Sequence, residues 1–221
     1  MGKENFSLPT FSFRVICLNL SFTEQGYPMN QPLFQSVPSL ETERLLLRQP
    51  GEQDLEGIFA VFSDPAVTHH HDTDTYTQIE QAAGWLERRS RALERGRAIR
   101  WAITRKSAGV FLGSCGFGGW DPVAATAEVG YELNSTYWRQ GIMSEALEAI
   151  LRFGFEQMGL QRITAEVMLD NIASSALLTK FGFHEEAILK NRGFWKGQHH
   201  DLQLWVKTSP PLPRENEELK G

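Results

Sequence analysis

Cysteine is nearly absent: Cys17 and Cys115 are the only two in 221 residues. Two thiols make neither a disulfide framework nor a four-ligand structural zinc site, and a chain of this length buries enough apolar surface to need neither. A reducing cytosol is the expected compartment. Long apolar runs are missing too. The candidates near the start are broken by Arg14, Asn19 and Glu24, well short of the roughly 20 residues a membrane helix needs. The opening Met1-Gly2-Lys3-Glu4 leads into no uninterrupted apolar region with a small-residue cleavage site. There is no surplus of positive charge either: 22 Lys and Arg face 27 Asp and Glu, a formal net charge of -5. Nucleic-acid affinity rests largely on phosphate neutralisation, so neither nucleic acid nor a membrane is an expected partner. No internal repeat appears.

What remains is an ordinary mixture of apolar and charged residues, patterned in three stretches. Residues 1–38 carry Pro9, Pro28, Pro32 and Pro38 with scattered aromatics. They read as an N-terminal extension, partly ordered at most, with one short alternation at Phe11, Phe13 and Val15 that suits a strand. Residues 39–208 form the patterned domain, and 209–221 a polar, proline-rich tail. Within the domain, 44–48 is a strand and Asp54 is placed to cap a helix through Ile58, Phe59 and Phe62, stopped at Asp64-Pro65. A helix over 78–95 ends at Gly96. Strands follow over 99–104, 110–116 and 127–133, the first two joined by a 106–109 turn as an antiparallel hairpin. A helix over 142–158, with Leu147, Ile150, Leu151, Phe155 and Met158 at helical spacing, leads to a strand over 162–167. A strand-helix-strand unit of this length implies a parallel crossover. A helix over 172–181 and short strands near 187–189 and 202–206 complete an α/β fold with a mixed sheet, antiparallel first and then one parallel crossover.

The crossover draws attention to Trp138-Arg139-Gln140-Gly141-Ile142-Met143-Ser144, between strand and helix. A helix start presents unpaired N–H groups and a partial positive charge, which together hold an anion. Gly141 lets backbone approach a ligand with no Cβ in the way, and Arg139 and Gln140 add donors. A lone glycine before a helix is also compatible with a plain tight connection.

The surrounding residues carry more. Leu40-Glu-Thr-Glu-Arg-Leu-Leu-Leu-Arg48, Asp64-Pro-Ala-Val67, Glu128-Val-Gly-Tyr-Glu-Leu133, Gly141-Ile-Met-Ser-Glu-Ala146, Asn171-x-x-Ser174 and Lys180-Phe-Gly-Phe183 occur in order over residues 40–207. This set resembles the GNAT superfamily of N-acetyltransferases, and most closely the branch of bacterial ribosomal-protein N-terminal (Rim-type) acetyltransferases. The resemblance implies an acetyl-CoA-dependent acyltransferase moving acetyl to a primary amine, either a peptide N-terminus or a small molecule, without a metal. It implies that the amides of Arg139 through Ser144, Ile142 among them, hold the pyrophosphate of acetyl-CoA, with Trp138 also at the cofactor site. The strand edge from Tyr131 to Leu133 would pair with pantetheine as an added strand, with Asn171 and Ser174 near the thioester. Two positions depart from the family pattern. Trp138 replaces the first Gln or Arg of the Gln/Arg-x-x-Gly-x-Gly/Ala motif, and Met143 stands where it has Gly or Ala. Met143 crowds the pyrophosphate unless its side chain points into the core.

For the chemistry, an amine needs a base, a held carbonyl and a route for a proton to the leaving thiolate. Glu128, Gly130 and Glu132 share one strand face. Glu128 is the first candidate base and Glu132 the second, should a bulge near Gly130 change which carboxylate faces the cleft; a salt bridge to an arginine is the competing role. Many relatives place an acidic tyrosine on the following helix, where this chain has Leu178, which leaves Ser174, or a water held by Asn171. A CoA-binding module without efficient catalysis is therefore the rival function. Cys115 lies on another strand and no acyl-enzyme is required.

Other features have plainer readings. His69-His70-His71 with Asp72 and Asp74 is a loop without an evident distant partner set, better suited to facing substrate than to holding metal. Gly113-x-x-Gly116-x-Gly118-Gly119 leads toward a strand and so is no dinucleotide fingerprint. Arg88, Arg89, Arg91 and Arg95 read as a solvated helix face. Monomer and homodimer stay open, with Trp120 and Trp195 as candidate covers for a second copy.

Overall fold

The computed structural model describes residues 34–209; the alternation at Phe11, Phe13 and Val15 and the proline-rich tail lie outside the described residues. The elements run β1 (Leu40–Glu41), β2 (Leu45–Arg48), α1 (Leu55–Phe62), α2 (Pro65–Thr68), α3 (Glu80–Glu94), β3 (Ile99–Arg105), β4 (Phe111–Asp121), β5 (Thr126–Leu133), α4 (Ile142–Glu156), β6 (Arg162–Met168), α5 (Ile172–Lys180), β7 (His184–Trp195) and β8 (Gln198–Thr208). They form one eight-stranded sheet in the order β1-β2-β3-β4-β5-β6-β8-β7. Every neighbouring pair is antiparallel except β5 with β6. The mixed sheet with one parallel crossover is the fold class the pattern of elements implied.

Alternation along the strands sorts side chains onto two faces. On β3, Ile99, Trp101 and Ile103 enter the larger core with α4, whereas Ala102 packs with α1 and α3. The apolar stripe of α4 (Ile142, Met143, Ala146, Leu147, Ile150, Leu151) is buried against the first face. Each large aliphatic side chain fully buried there contributes about 1.5–3 kcal/mol. Phe34 stacks on Trp120 at 5.8 Å and packs beside Phe153, and Trp101 Nε1 donates to the Pro38 carbonyl at 2.7 Å. Trp120 is thus covered from within the chain and is not a free cover for a second copy.

Three local expectations are corrected. Asp54 occupies the N-cap position of α1, but its side chain makes no capping bond there. Its carboxylate accepts from both terminal nitrogens of Arg48, each at 2.7 Å, and from the Gly51 amide at 2.9 Å, because a bidentate charged partner outcompetes a helix amide. The last two strands are much longer than the short segments expected near 187–189 and 202–206. Their hairpin turns on Lys196 and Gly197, both left-handed (φ 51 and 77), the geometry that matches strand twist. Lysine is an unusual first residue there, and β7 is mostly exposed, so neither turn chemistry nor apolar alternation announced it. Asp64-Pro65 does more than stop α1: it opens the short helix α2, which Asp64 caps through a 2.8 Å bond from the Ala66 amide.

The β5–β6 pairing positions the site. It covers only Thr126–Glu128 against Arg162–Thr164. Beyond it β5 stays with β4 and β6 with β8, so the two strands part. The Asn134 amide bonds to Leu112 on β4; by alternation, the N–H and C=O groups of Val129, Tyr131 and Leu133 face the opening.

Candidate active site

One half of the opening is made of backbone. Past β5 the chain makes a short turn at Ser135–Tyr137 and enters α4 through Arg139 (φ 59) and Gly141 (φ 74). None of the amides from Arg139 to Ser144 finds an acceptor among the described residues. Six donors at a helix start are a ready seat for an anion. Gly141 makes the bend possible, since the left-handed region is costly for residues with a Cβ. The loop is held from outside: Arg44 donates to the Gln140 carbonyl at 3.1 Å and pairs with Glu145 at 2.6 Å, while Gln140 Nε2 donates to the Thr136 carbonyl. Met143, the departure that threatened crowding, is 9% exposed and belongs to the core, so the cradle stays open. Ile142 is buried beside it. Trp138 donates through Nε1 to the Leu133 carbonyl at 2.8 Å, tying the loop to the end of β5. Asn171 caps α5, accepting from the Ser174 amide at 3.1 Å, and the Ser174 hydroxyl meets the Tyr131 hydroxyl at 2.7 Å across the opening.

The other half is made of side chains. A cavity of about 540 Å³ opens on the α3 side of the sheet, lined by Glu128, Gly130 and Glu132 of β5 and by Glu166 and Met168 of β6. Glu132 is buried and takes hydrogen bonds from Arg100 and the Ser114 hydroxyl. His71 Nε2 stands 3.7 Å from Glu132 and its Nδ1 3.0 Å from Asp72. Burial disfavours charge on His71, but the two carboxylates outweigh it and raise its pKa to about 9. Both ring nitrogens therefore carry a proton at neutral pH. Burial likewise opposes charge on Glu132, yet Arg100, His71 and Ser114 hold its pKa down at about 2. Arg100 also bonds the Gly130 carbonyl at 3.0 Å and Ser114 at 2.7 Å, so β5 is pinned at this point.

Of the two candidate bases, Glu132 is the one committed to an arginine. The β4–β5 register runs unbroken past Gly116 and Gly130, its shift lying between Gly118 and Asp121. Glu128 forms no ion pair within 4.0 Å among the described residues. Burial in the cleft and the neighbouring Glu166 raise its pKa above the ordinary carboxylate value, with Arg192 pulling the other way. Leu178 is fully buried. The Tyr131 phenol lies beside Ser174 instead, its pKa pushed up by burial to about 12. Burial raises the Cys115 thiol to about 12 as well, so it is no nucleophile at neutral pH.

The structure brings together residues that the sequence pattern left apart. Arg100 and Ser114 had no signal beyond their strands. The histidine loop has a distant partner after all: His69 and His70 lie 3.7 and 3.6 Å from Asp170, and the three ligand atoms fall within 4.8 Å of one another. Three donors, two of them largely exposed, fall short of a closed four-ligand structural zinc set. Arg89 is not on a solvated face. It is half-buried, turns toward the cavity and stacks over Trp85 at 5.4 Å.

A parallel strand pair thus parts beside a row of helix-start amides, an arrangement that offers an anion a seat. The acetyltransferase (GNAT) domain family matches residues 44–184. An uncharacterized N-acetyltransferase of Bacillus subtilis, YoaA, is 37% identical over 78% of this chain and 98% of its own length. The ribosomal-protein-serine acetyltransferase of Escherichia coli is 29% identical over 52% of this chain and 63% of its own. Among solved structures, RimL, a ribosomal alpha-N-protein acetyltransferase in complex with coenzyme A, superposes with a TM-score of 0.69 over 76% of this chain and 95% of that one at 24% identity. A GNAT-family acetyltransferase from Bacillus anthracis gives 0.69 over 77% and 98% at 23% identity. At such identities the structural matches speak for the fold. The chain belongs to the GNAT family and is an acetyl-CoA-dependent acetyltransferase. Among the described residues, no helix is long and apolar enough to cross a membrane.

Proposed function

We propose that this protein moves the acetyl group of acetyl-CoA to a primary amine by direct attack in a ternary complex, the acceptor being a protein N-terminus or a small amine. The observation that carries this reading is the continuity of the unpaired β5 edge with the six free amides at the start of α4. Acetyl-CoA supplies an activated thioester carbonyl. The amides of Arg139 through Ser144 hold its pyrophosphate, and the outward groups of Tyr131 and Leu133 pair with pantetheine, Trp138 having taken one Leu133 lone pair. The transferase unit of this reading spans 39–208, with Phe34 and Val37 packed onto it.

Glu128 takes the proton from the incoming ammonium. Burial in the cleft raises the Glu128 pKa above the ordinary carboxylate value, and holding both reactants in one cleft supplies most of the rate. Glu132, bound by Arg100 and His71, keeps β5 in place rather than titrating. The Tyr131–Ser174 hydroxyl pair faces the departing sulfur. A phenol near 12 keeps its proton at neutral pH and offers sulfur a hydrogen bond, with little drive to transfer the proton outright. Leu178 favours a second reading, a CoA-binding module without efficient catalysis, because it removes the helix-borne tyrosine.

Thermal shift with acetyl-CoA, followed by thiol release across peptides, polyamines and amino acids, separates the two. A shift with amine-dependent release supports transfer. A shift with no release from any amine selects the binding module, and no shift sinks both.

A further inference from the structure

We infer that the acceptor half of the cleft contains an anion subsite centred on Arg89, so that the acceptor amine carries a carboxylate or phosphate group. This rests on the transfer reading above. Its basis is an inventory of the charged groups lining the cavity. Glu132 is matched by Arg100 and His71. Asp72 is matched by His71 at 3.0 Å, and Glu166 by Arg192 at 2.8 Å. Among the described lining residues two charges remain, Glu128 on β5 and Arg89 on α3.

Arg89 is the unusual one. It forms no ion pair within 4.0 Å among the described residues, and its Nε is buried without a hydrogen-bond acceptor. Its guanidinium lies over the face of Trp85, which positions the planar group without satisfying its donors. Burial and the nearby Arg100 both press against its charge, yet a guanidinium keeps its proton in proteins. Such a group left without a partner is costly, and its fork suits a carboxylate or phosphate in two parallel bonds. Asp72 acts electrostatically on both Arg89 and Glu128, but its oxygen is committed to His71.

An acceptor with an ammonium for Glu128 and an anion for Arg89 matches both leftover charges. A polyamine would instead bring a second cation toward Arg89, Arg100 and protonated His71.

The test uses the full chain, acetyl-CoA and matched acceptor pairs: phenylalanine with phenylalaninamide, 2-aminoethyl phosphate with 2-aminoethanol, and Ser-Glu with Ser-Gln peptides amidated at the C-terminus. In at least one pair the anionic member is expected to exceed its neutral partner in kcat/KM by about 10- to 100-fold. The winning pair identifies the source of the anion. Arg89→Met should bring that ratio to about one, and Arg89→Lys should restore part of it. Neutral members equal or better in all pairs, polyamines as the best acceptors, or a ratio unmoved by Arg89→Met would each overturn the subsite.

A second measurement does not depend on turnover. With the protein saturated by coenzyme A, inorganic phosphate should raise the melting temperature of the wild type and not of Arg89→Met. Equal shifts overturn the subsite. A wild-type-only shift without thiol release from any acceptor supports the subsite and counts against transfer.

Discussion

The two halves of the cleft are built on different terms. The half facing α4 is backbone: an unpaired strand edge and six amides bent into place by Gly141. The half facing α3 is side chain: Glu132, Arg100, His71, Asp72 and Arg89, from two strands, a loop and a helix, locked mostly by ion pairs. A backbone seat tolerates side-chain change so long as the curve survives, which is why Met143 is accommodated by turning into the core. A side-chain seat has no such tolerance, since each buried charge relies on a particular partner.

That contrast can be broken, and the largest effect should come from Glu128→Gln. A fall in kcat of about 10²- to 10⁴-fold is expected, with acetyl-CoA affinity by calorimetry little changed; unchanged turnover would remove Glu128 from the chemistry. Next comes Glu132→Ala, which leaves Arg100 buried without its carboxylate and should cost about 3–5 kcal/mol of unfolding free energy. A loss below about 1 kcal/mol would mean that solvent already shares this pair. Gly141→Val should cost about 1–2 kcal/mol at a left-handed position, read as roughly tenfold weaker acetyl-CoA binding. Arg139→Ala should have a far smaller effect, because the amide stays. Equal losses in the two variants would refute a backbone-made seat.

The smallest effect is a pH dependence. His71 rises from 6.5 to about 9 on folding. Its contribution is therefore full below pH 6.5 and lost as pH climbs through about 9. Glu132 drops from 4.5 to about 2, so its contribution is full above pH 4.5 and lost as pH falls through about 2. The gap in melting temperature between wild type and His71→Gln should be widest from pH 4.5 to 6.5 and close by about pH 9. A gap that stays constant across this range would separate His71 from Glu132.

Legibility followed the same divide. The α4 junction was readable because its signals are local: a glycine, a helix start and a strand ending, within a dozen residues and flanked by ordered family motifs. The alternation of Glu128 and Glu132 on one face was readable for the same reason. Which of them is free was not, because that depends on Arg100 reaching across from β3. Arg89 looked like one more cation on a polar helix, since periodicity reports the face of a helix and not what stands opposite it. The pairing of His69 and His70 with Asp170 spans elements that no spacing rule connects.

By itself, the sequence determined the fold class, the parallel crossover, the strand-to-helix junction at Gly141 and the family, because those depend on backbone geometry and on patterns repeated over a few residues. Only the tertiary structure decided that β5 and β6 part after three residue pairs, that Glu132 is tied to Arg100, and that Glu128 and Arg89 line the cleft with no ion partner among the described residues. Electrostatic pairing depends on distances between remote chain segments, and those exist only once the sheet has brought the segments together.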